Sequence, residues 1–224
     1  MNPTSEETER THLAAFGPSL GPLYHALYSE VIWLHVKWQQ YRRLYAKSKN
    51  RIALLNKTAG FFFGMVEDAL WNDVLLHITR MTDTRKGTLT LDRLPKAIKD
   101  TKLATKVRKL VHVARARSEF AREWRNRHIA HRNLELALHA KVQPLPDASR
   151  QDVEQALASI REVLNLLHRE RVGDDVAFEH VLTYDDADAL VHHLSVASQT
   201  AERKIERVKS GQWKPEDFEL PPKV

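Results

Sequence analysis

The chain has 224 residues, 42% of them apolar, with seven glycines and nine prolines; that is long enough to bury a core in one or two domains and excludes a disordered or fibrous polymer. It has no cysteine, which excludes disulfides and thiolate chemistry. Lys+Arg 35 against Asp+Glu 29 leave a net charge of +6, too mild to imply nucleic-acid binding by itself, so the distribution of charge must decide. Residues 1–10 lack the basic-then-apolar order of a secretory signal, and no apolar run approaches a membrane span. Together with the missing cysteines this points to a cytoplasmic protein that does not engage a membrane.

Residues 1–19 read as an N-terminal segment, with a short helix through His12–Phe16 ending near Gly17-Pro18. A helical body over 20–209 follows, then a tail over 210–224. In 20–47, Leu23, Leu27, Val31, Leu34, Trp38, Tyr41 and Tyr45 recur in steps of three and four, the stripe of one long helix, which Tyr24 and Trp33 widen. A second long helix is expected over 51–81, with Leu54, Thr58, Phe61, Met65, Ala69, Asn72 and Leu76 facing inward. Phe62, Trp71 and Leu75 thicken that face until apolar residues nearly encircle it, which marks a central helix or a dimer surface. Asp68, Asn72 and His77 on it read as internal hydrogen-bonding groups, or else as lining of an active cleft.

Gly87 and four threonines in 80–90 make a loop, which an ion pair of Arg80 and Asp83 is expected to pin, RNA contact being the alternative role. Thr88 or Thr90 can cap a short helix through Leu91, Leu94 and Ile98, although Pro95 falls late for its first turn. The next helix, 101–124, carries Leu103, Val107, Leu110, Ala114, Ala121 and Trp124 on its inner stripe. Arg117 falls on that stripe too, as a buried pair or an active-site arginine. Between Lys102 and Arg132 ten Lys/Arg face two acids, a local excess of eight that leaves the rest of the chain net acidic. Arg108, Arg115 and Arg122 repeat at seven-residue steps as one ridge. Pro144 and Pro146 break the pattern, and Ser149 with Asp152 spells a capping box. The helix to about 170 turns Val153, Leu157, Ile160, Leu164 and Leu167 inward. Thr183 and Asp186 can cap a last helix over 185–209, with Leu190, Leu194, Ala197, Ala201, Ile205 and Val208 on a narrower stripe. The tail, with Trp213, Phe218 and three prolines, is an extended docking arm or disordered.

The chemistry concentrates in Trp124-Arg125-Asn126-Arg127-His128-Ile129-Ala130-His131-Arg132-Asn133. Two imidazoles that titrate near neutrality, three guanidiniums and two carboxamides share ten residues. Histidine takes and gives protons; arginine grips phosphate with a planar fork; asparagine holds either in place. A proton shuttle beside fixed positive charge is the minimum equipment for moving a phosphodiester without metal. Arg125 and His131 are six apart, roughly 120° around a straight helix. The helix must therefore bend or restart there, or each residue must serve a site shared across a two-fold axis. His128, His131 and Arg132 share a face.

Arg125-Asn126, four residues, then His131 resembles the Arg-polar-x4-His signature of the HEPN superfamily of helical ribonucleases and nucleotide-binding domains. Asn56 with Phe61-Phe62-Phe63, then Ile78-Thr79-Arg80-Met81-Thr82-Asp83, then Ile129–Asn133 resemble its abortive-infection U-type branch, over roughly 20–138. The resemblance implies an all-α, HEPN-like bundle of long antiparallel helices that forms a homodimer. It also implies RNA cleavage without metal, in which a ribose 2′-hydroxyl attacks the adjacent phosphorus and leaves a cyclic phosphate. His131 would then be the acid/base, Arg125 the phosphate clamp and Asn126 the orienting residue. Arg122, Arg127, His128 and Arg132 are candidate RNA contacts. No cofactor and no metal is expected, His128-x2-His131 lacking further ligands of suitable spacing. The resulting expectation is an endoribonuclease acting in phage defence or as a toxin, with RNA as substrate and an antitoxin or regulatory protein as a further partner. A non-catalytic HEPN module that binds RNA, nucleotide or protein is the alternative.

Overall fold

The computed structural model describes residues 4–129, 138 and 147–218. Among the described residues the protein is all-α and has no strand. Its α-helices are α1 (Ser5–Tyr45), α2 (Lys49–Met81), α3 (Leu94–Ala97), α4 (Thr101–Arg117), α5 (Glu119–Trp124), α6 (Arg150–Arg171) and α7 (Ala187–Lys209). They build two compact units, one from 1–39 with 69–182 and one from 40–68 with 183–224. None of these helices is long and apolar enough to cross a membrane.

The first unit holds most of the core. α1 is interrupted at Gly17, whose φ of 75° is the left-handed conformation that a glycine adopts without penalty. The arm before it thus ends at Phe16, as the Gly17-Pro18 pair predicts. It returns against the helix that follows: a Cβ at Gly21 would stand 2.9 Å from the Leu13 Cα, so only glycine admits this approach. Phe16 stacks on Tyr24 at 3.9 Å between centroids. Tyr24, Leu27, Val31, Leu34 and Trp38 are buried as the stripe requires, whereas Trp33 is exposed. Trp38 donates from Nε1 to Glu154 at 2.7 Å, tying α1 to α6. α6 begins with the capping box of Ser149 and Asp152 and buries all five predicted positions.

α2 departs from its expected face. Ala59 leaves helical geometry (φ −158°, ψ 62°), so the two halves are out of phase. A stripe extrapolated through that break picks the wrong side. Phe61, Phe62 and Met65 are exposed, Phe61 by 87%, while Leu55, Phe63, Val74, Leu75, Ile78 and Met81 are buried. After α2, a 3-10 turn (Leu91–Arg93) precedes α3, so Pro95 falls within the first turn of a new helix, where no N–H is lost. Neither threonine caps it with a side-chain hydrogen bond. α4 is capped by Asp100, whose side chain accepts from the amides of Lys102 and Leu103. It packs on α6 and buries Leu103, Val107, Val111 and Ala114.

In the second unit Asp188 of α7 gathers Arg51 at 2.6 Å, Lys47 at 3.1 Å and Arg43 at 3.6 Å. Asp186 caps α7 through the Asp188 amide. The expected α7 stripe is only sparsely covered: Ala187 and Val191 are buried, but Leu190, Ile205 and Val208 are exposed. The tail folds back. Gly211, at φ 75°, closes α7 with the Gln212 amide donating to the Arg207 carbonyl at 2.9 Å. Asp217 then pairs with Arg207 and accepts from the Lys214 amide.

Candidate functional site

The motif arginine is delivered by a helix that does not run straight. α4 stops at Ser118, which is buried and donates its hydroxyl to the Ala114 carbonyl at 2.7 Å. α5 restarts at Glu119, and Arg125–Ile129 form one π-helical turn. A π turn closes i to i+5 and marks functional segments of helices more often than chance. The restart at Glu119 precedes Arg125, and of the stretch from Arg125 to His131 only 125–129 is described, where the helix widens to a π turn. The 120° separation of a regular helix therefore no longer applies across 125–129.

Arg125 lines a cavity of about 560 Å³ in the first unit. Its Nε donates to Asn126 Oδ1 at 3.0 Å, so the carboxamide fixes the plane of the guanidinium. Its Nη1 lies 3.5 Å from Asp83 Oδ2 in the loop after α2. Asp83 is prepared for that position by the loop itself: its Oδ1 accepts from the amides of Thr84 at 2.6 Å and Arg85 at 3.1 Å. Burial works to raise the Asp83 pKa, but those two amides, with Arg125 and Arg85, hold it below the usual carboxylate range. The carboxylate is therefore charged whenever the site is at neutral pH.

Also in the lining, Arg80 Nη2 lies 3.2 Å from Glu30 Oε2, and His77 Nε2 is 2.9 Å from the same oxygen without hydrogen-bond alignment. Burial, then Lys37 and Arg80, push the His77 pKa down to about 4 against the opposing pull of Glu30 and Asp73. It is a neutral buried imidazole at pH 7. The ion pairing expected between Arg80 and Asp83 is thus replaced: packing against α1 supplies Glu30 to Arg80, and the motif supplies Arg125 to Asp83. Met81, Leu89 and Thr88 complete the wall.

Residues 18–190 match the HEPN family model described as AbiU2. The chain belongs to the HEPN AbiU2 family. Comparison with curated proteins and with solved structures finds no match. The HEPN match spans both halves of the motif and every residue that lines the cavity.

Within this HEPN chain the predicted site residues fall in different settings. Arg125 and Asn126 share the cavity. Arg122 is drawn into local structure, with Nε 3.2 Å from Glu119 Oε2 and Nη2 3.4 Å from the Arg115 carbonyl, spanning the break between α4 and α5. Arg127 is half-buried, and His128 is exposed with its ring edge-on to Trp124 at 5.4 Å. His131 and Arg132 lie outside the described residues. Arg117 is neither buried nor in the cavity; it is exposed and donates to Gln155 at 2.6 Å, while Ser118 takes the inward position. Sequence reasoning missed Glu30, Arg85, Thr88 and Leu89. Arg85 had a signal, standing two residues past the family-like block that ends at Asp83. Glu30 had none, because its role arises from packing.

Proposed function

We propose that this HEPN chain is a metal-independent endoribonuclease of the abortive-infection type. The observation that carries it is the intact Arg125-Asn126-x4-His131 signature inside the family match, with Arg125 and Asn126 hydrogen-bonded to each other in the lining of a cavity that Arg80 and Arg85 also line. In the proposed reaction the ribose 2′-oxygen forms a bond to the adjacent phosphorus as its proton leaves, and the bond from phosphorus to the 5′-oxygen breaks. His131 carries the proton, as base to the 2′-hydroxyl or as acid to the departing 5′-oxygen. Arg125 neutralises the charge that builds on the phosphoryl oxygens, and Asn126 keeps its fork in plane. A homodimer would bring two copies of His131 to one furrow, one for each proton transfer. Action in the cytoplasm during phage infection, restrained by an antitoxin or regulatory protein, completes the proposal.

The Arg125–Asp83 pair also supports a second reading. An arginine already satisfied by a carboxylate suits a non-catalytic module that binds RNA, nucleotide or protein. One experiment separates the two: purified protein is incubated with RNA in excess chelator, as wild type, Arg125→Ala and His131→Ala. Loss of cleavage in both variants, with 2′,3′-cyclic phosphate ends from wild type, supports the enzyme. Cleavage that needs added divalent metal, or survives in His131→Ala, refutes it.

A further inference from the structure

We propose that the N-terminal arm, residues 5–16, is an acid-released latch: His12 pins it into a cage of histidine and tyrosine rings in the first unit, and protonation of that imidazole frees it. The cage surrounds His12 from two elements. The part of α1 that follows Gly17 supplies Tyr24 at 5.0 Å between ring centroids, Tyr28 at 4.7 Å and His25 at 5.3 Å, and α6 supplies His168 at 6.3 Å. Phe16, on the arm itself, lies at 6.2 Å. His12 is only 3% exposed, and Tyr24 is fully buried. The cage offers a cation little counter-charge. The Asp174 carboxylate, in the chain after α6, is engaged by His168 Nδ1 at 2.9 Å, and the arm's own acids, Glu6, Glu7 and Glu9, are exposed. Even the buried Tyr24 hydroxyl has no hydrogen-bond partner among the described residues. His12 Nδ1 lies 3.1 Å from His25 Nδ1. One of these rings must donate and the other accept, so a single proton fits between the two nitrogens; a doubly charged pair would set two N–H groups head to head.

The arm can leave without the body unfolding. Between residues 5 and 16 only His12 and Phe16 are buried, and the non-helical Gly17 already separates the arm from the rest of α1. A segment with so few buried contacts sits at the low end of local stability. His35 and His77 are as deeply buried, but each lies within the long run of α1 or α2 and has no separate segment to release. Burial, then His25 and His168, push the docked His12 imidazole down to about 4; free of the cage it returns to about 6.5. The released arm therefore binds more protons than the docked one. Docking is fully in force above 6.5 and is lost as pH falls towards 4. With one proton linked, the ratio of released to docked arm rises about 30-fold from pH 7.5 to 5.0. The latch is independent of the chemistry at Arg125.

The test is hydrogen–deuterium exchange of the full chain at pH 7.5 and 5.0, corrected for the intrinsic pH dependence of amide exchange. Amides of residues 9–16 are compared with those of α6 in wild type, His12→Asn, His12→Phe and His112→Asn, the last an exposed histidine of α4. Asparagine keeps a polar atom close to the position of Nδ1, and phenylalanine fills the cage with a ring; neither takes a proton. The expected result is a rise in arm opening of about 30-fold in wild type and in His112→Asn, with α6 still protected, and of less than about threefold in both His12 variants. An arm that stays protected at pH 5.0, an arm that opens only together with α6, or a wild-type response that persists in either His12 variant overturns the proposal.

Discussion

Arg125 and Asp83 face each other at 3.5 Å in the lining of the cavity, a motif guanidinium opposite a carboxylate that the neighbouring loop holds in its charged form. The pair has a direct consequence for binding. Asp83→Asn keeps the acceptor that the Thr84 and Arg85 amides use and removes only the charge that competes with phosphate. A half-exposed pair of this kind is worth about 0.5–1 kcal/mol, so RNA should bind roughly 2–5-fold tighter in the variant. A filter-binding measurement that returns weaker binding assigns Asp83 to positioning Arg125 instead.

Arg125→Lys isolates the fork from the charge. Lysine keeps the positive charge but cannot engage two phosphoryl oxygens in one plane or donate from Nε to Asn126. Turnover should fall about 100-fold with KM changed less than fivefold, as expected of a donor acting in the transition state. His131→Ala should fall further, by roughly 10³-fold, with a lost pH dependence near neutrality. Single-turnover cleavage of a short RNA over pH 5–9 reads both effects.

Salt should report how many phosphates the protein holds. On single-stranded nucleic acid each neutralised phosphate adds about 0.7 to the magnitude of the log–log slope of affinity against salt. Arg85→Ala, which removes a guanidinium from the cavity lining, should therefore flatten that slope by roughly 0.7. Arg117→Ala should leave it untouched, because Arg117 is engaged with Gln155 away from the cavity.

Acid should begin to destabilise the fold above the pH range in which the carboxylates titrate. His12 and His77 are both buried, and burial first holds each at about 4, against an unfolded value near 6.5. For His12 the like-charged neighbours His25 and His168 push the same way, its Nδ1 lying 3.1 Å from that of His25. The unfolded chain then binds more protons than the fold between pH 6.5 and 4. The contribution of these two imidazoles is full above 6.5, declines as pH falls through that window, and falls no further below about 4. One such imidazole steepens the loss by up to about 1.4 kcal/mol per pH unit. Urea melts from pH 7.5 to 4.5 should show the decline, and His77→Gln should make it shallower; a flat profile contradicts the burial argument.

A structural control lies away from the site. Buried Asn165 bridges the chain after α6, donating to the Val176 carbonyl at 3.2 Å and accepting from the Val176 amide at 3.1 Å. Asn165→Ala leaves both groups unpaired and should cost about 1–3 kcal/mol in a denaturant melt, with RNA affinity unchanged at temperatures where the variant stays folded.

What the linear chain by itself determined was everything of short range. The apolar stripe of 20–47, the break at Gly17-Pro18, the Ser149/Asp152 capping box and the inner face of α6 all depend on neighbours within about one turn. Residue spacing therefore specifies them. The family signature was legible for the same reason, being six consecutive intervals along one segment. Tertiary structure alone decided the partners. Asp83 was expected on Arg80 and is found on Arg125, and Arg80 is found on Glu30, fifty residues away in sequence. Arg117 faces outward because the buried stripe runs through Val107, Val111, Ala114, Ser118 and Ala121, and Phe61 and Phe62 turned outward because Ala59 rephases α2. A break of one residue rotates every later side chain, and an ion pair goes to whichever charge packing brings near; neither is encoded in periodicity.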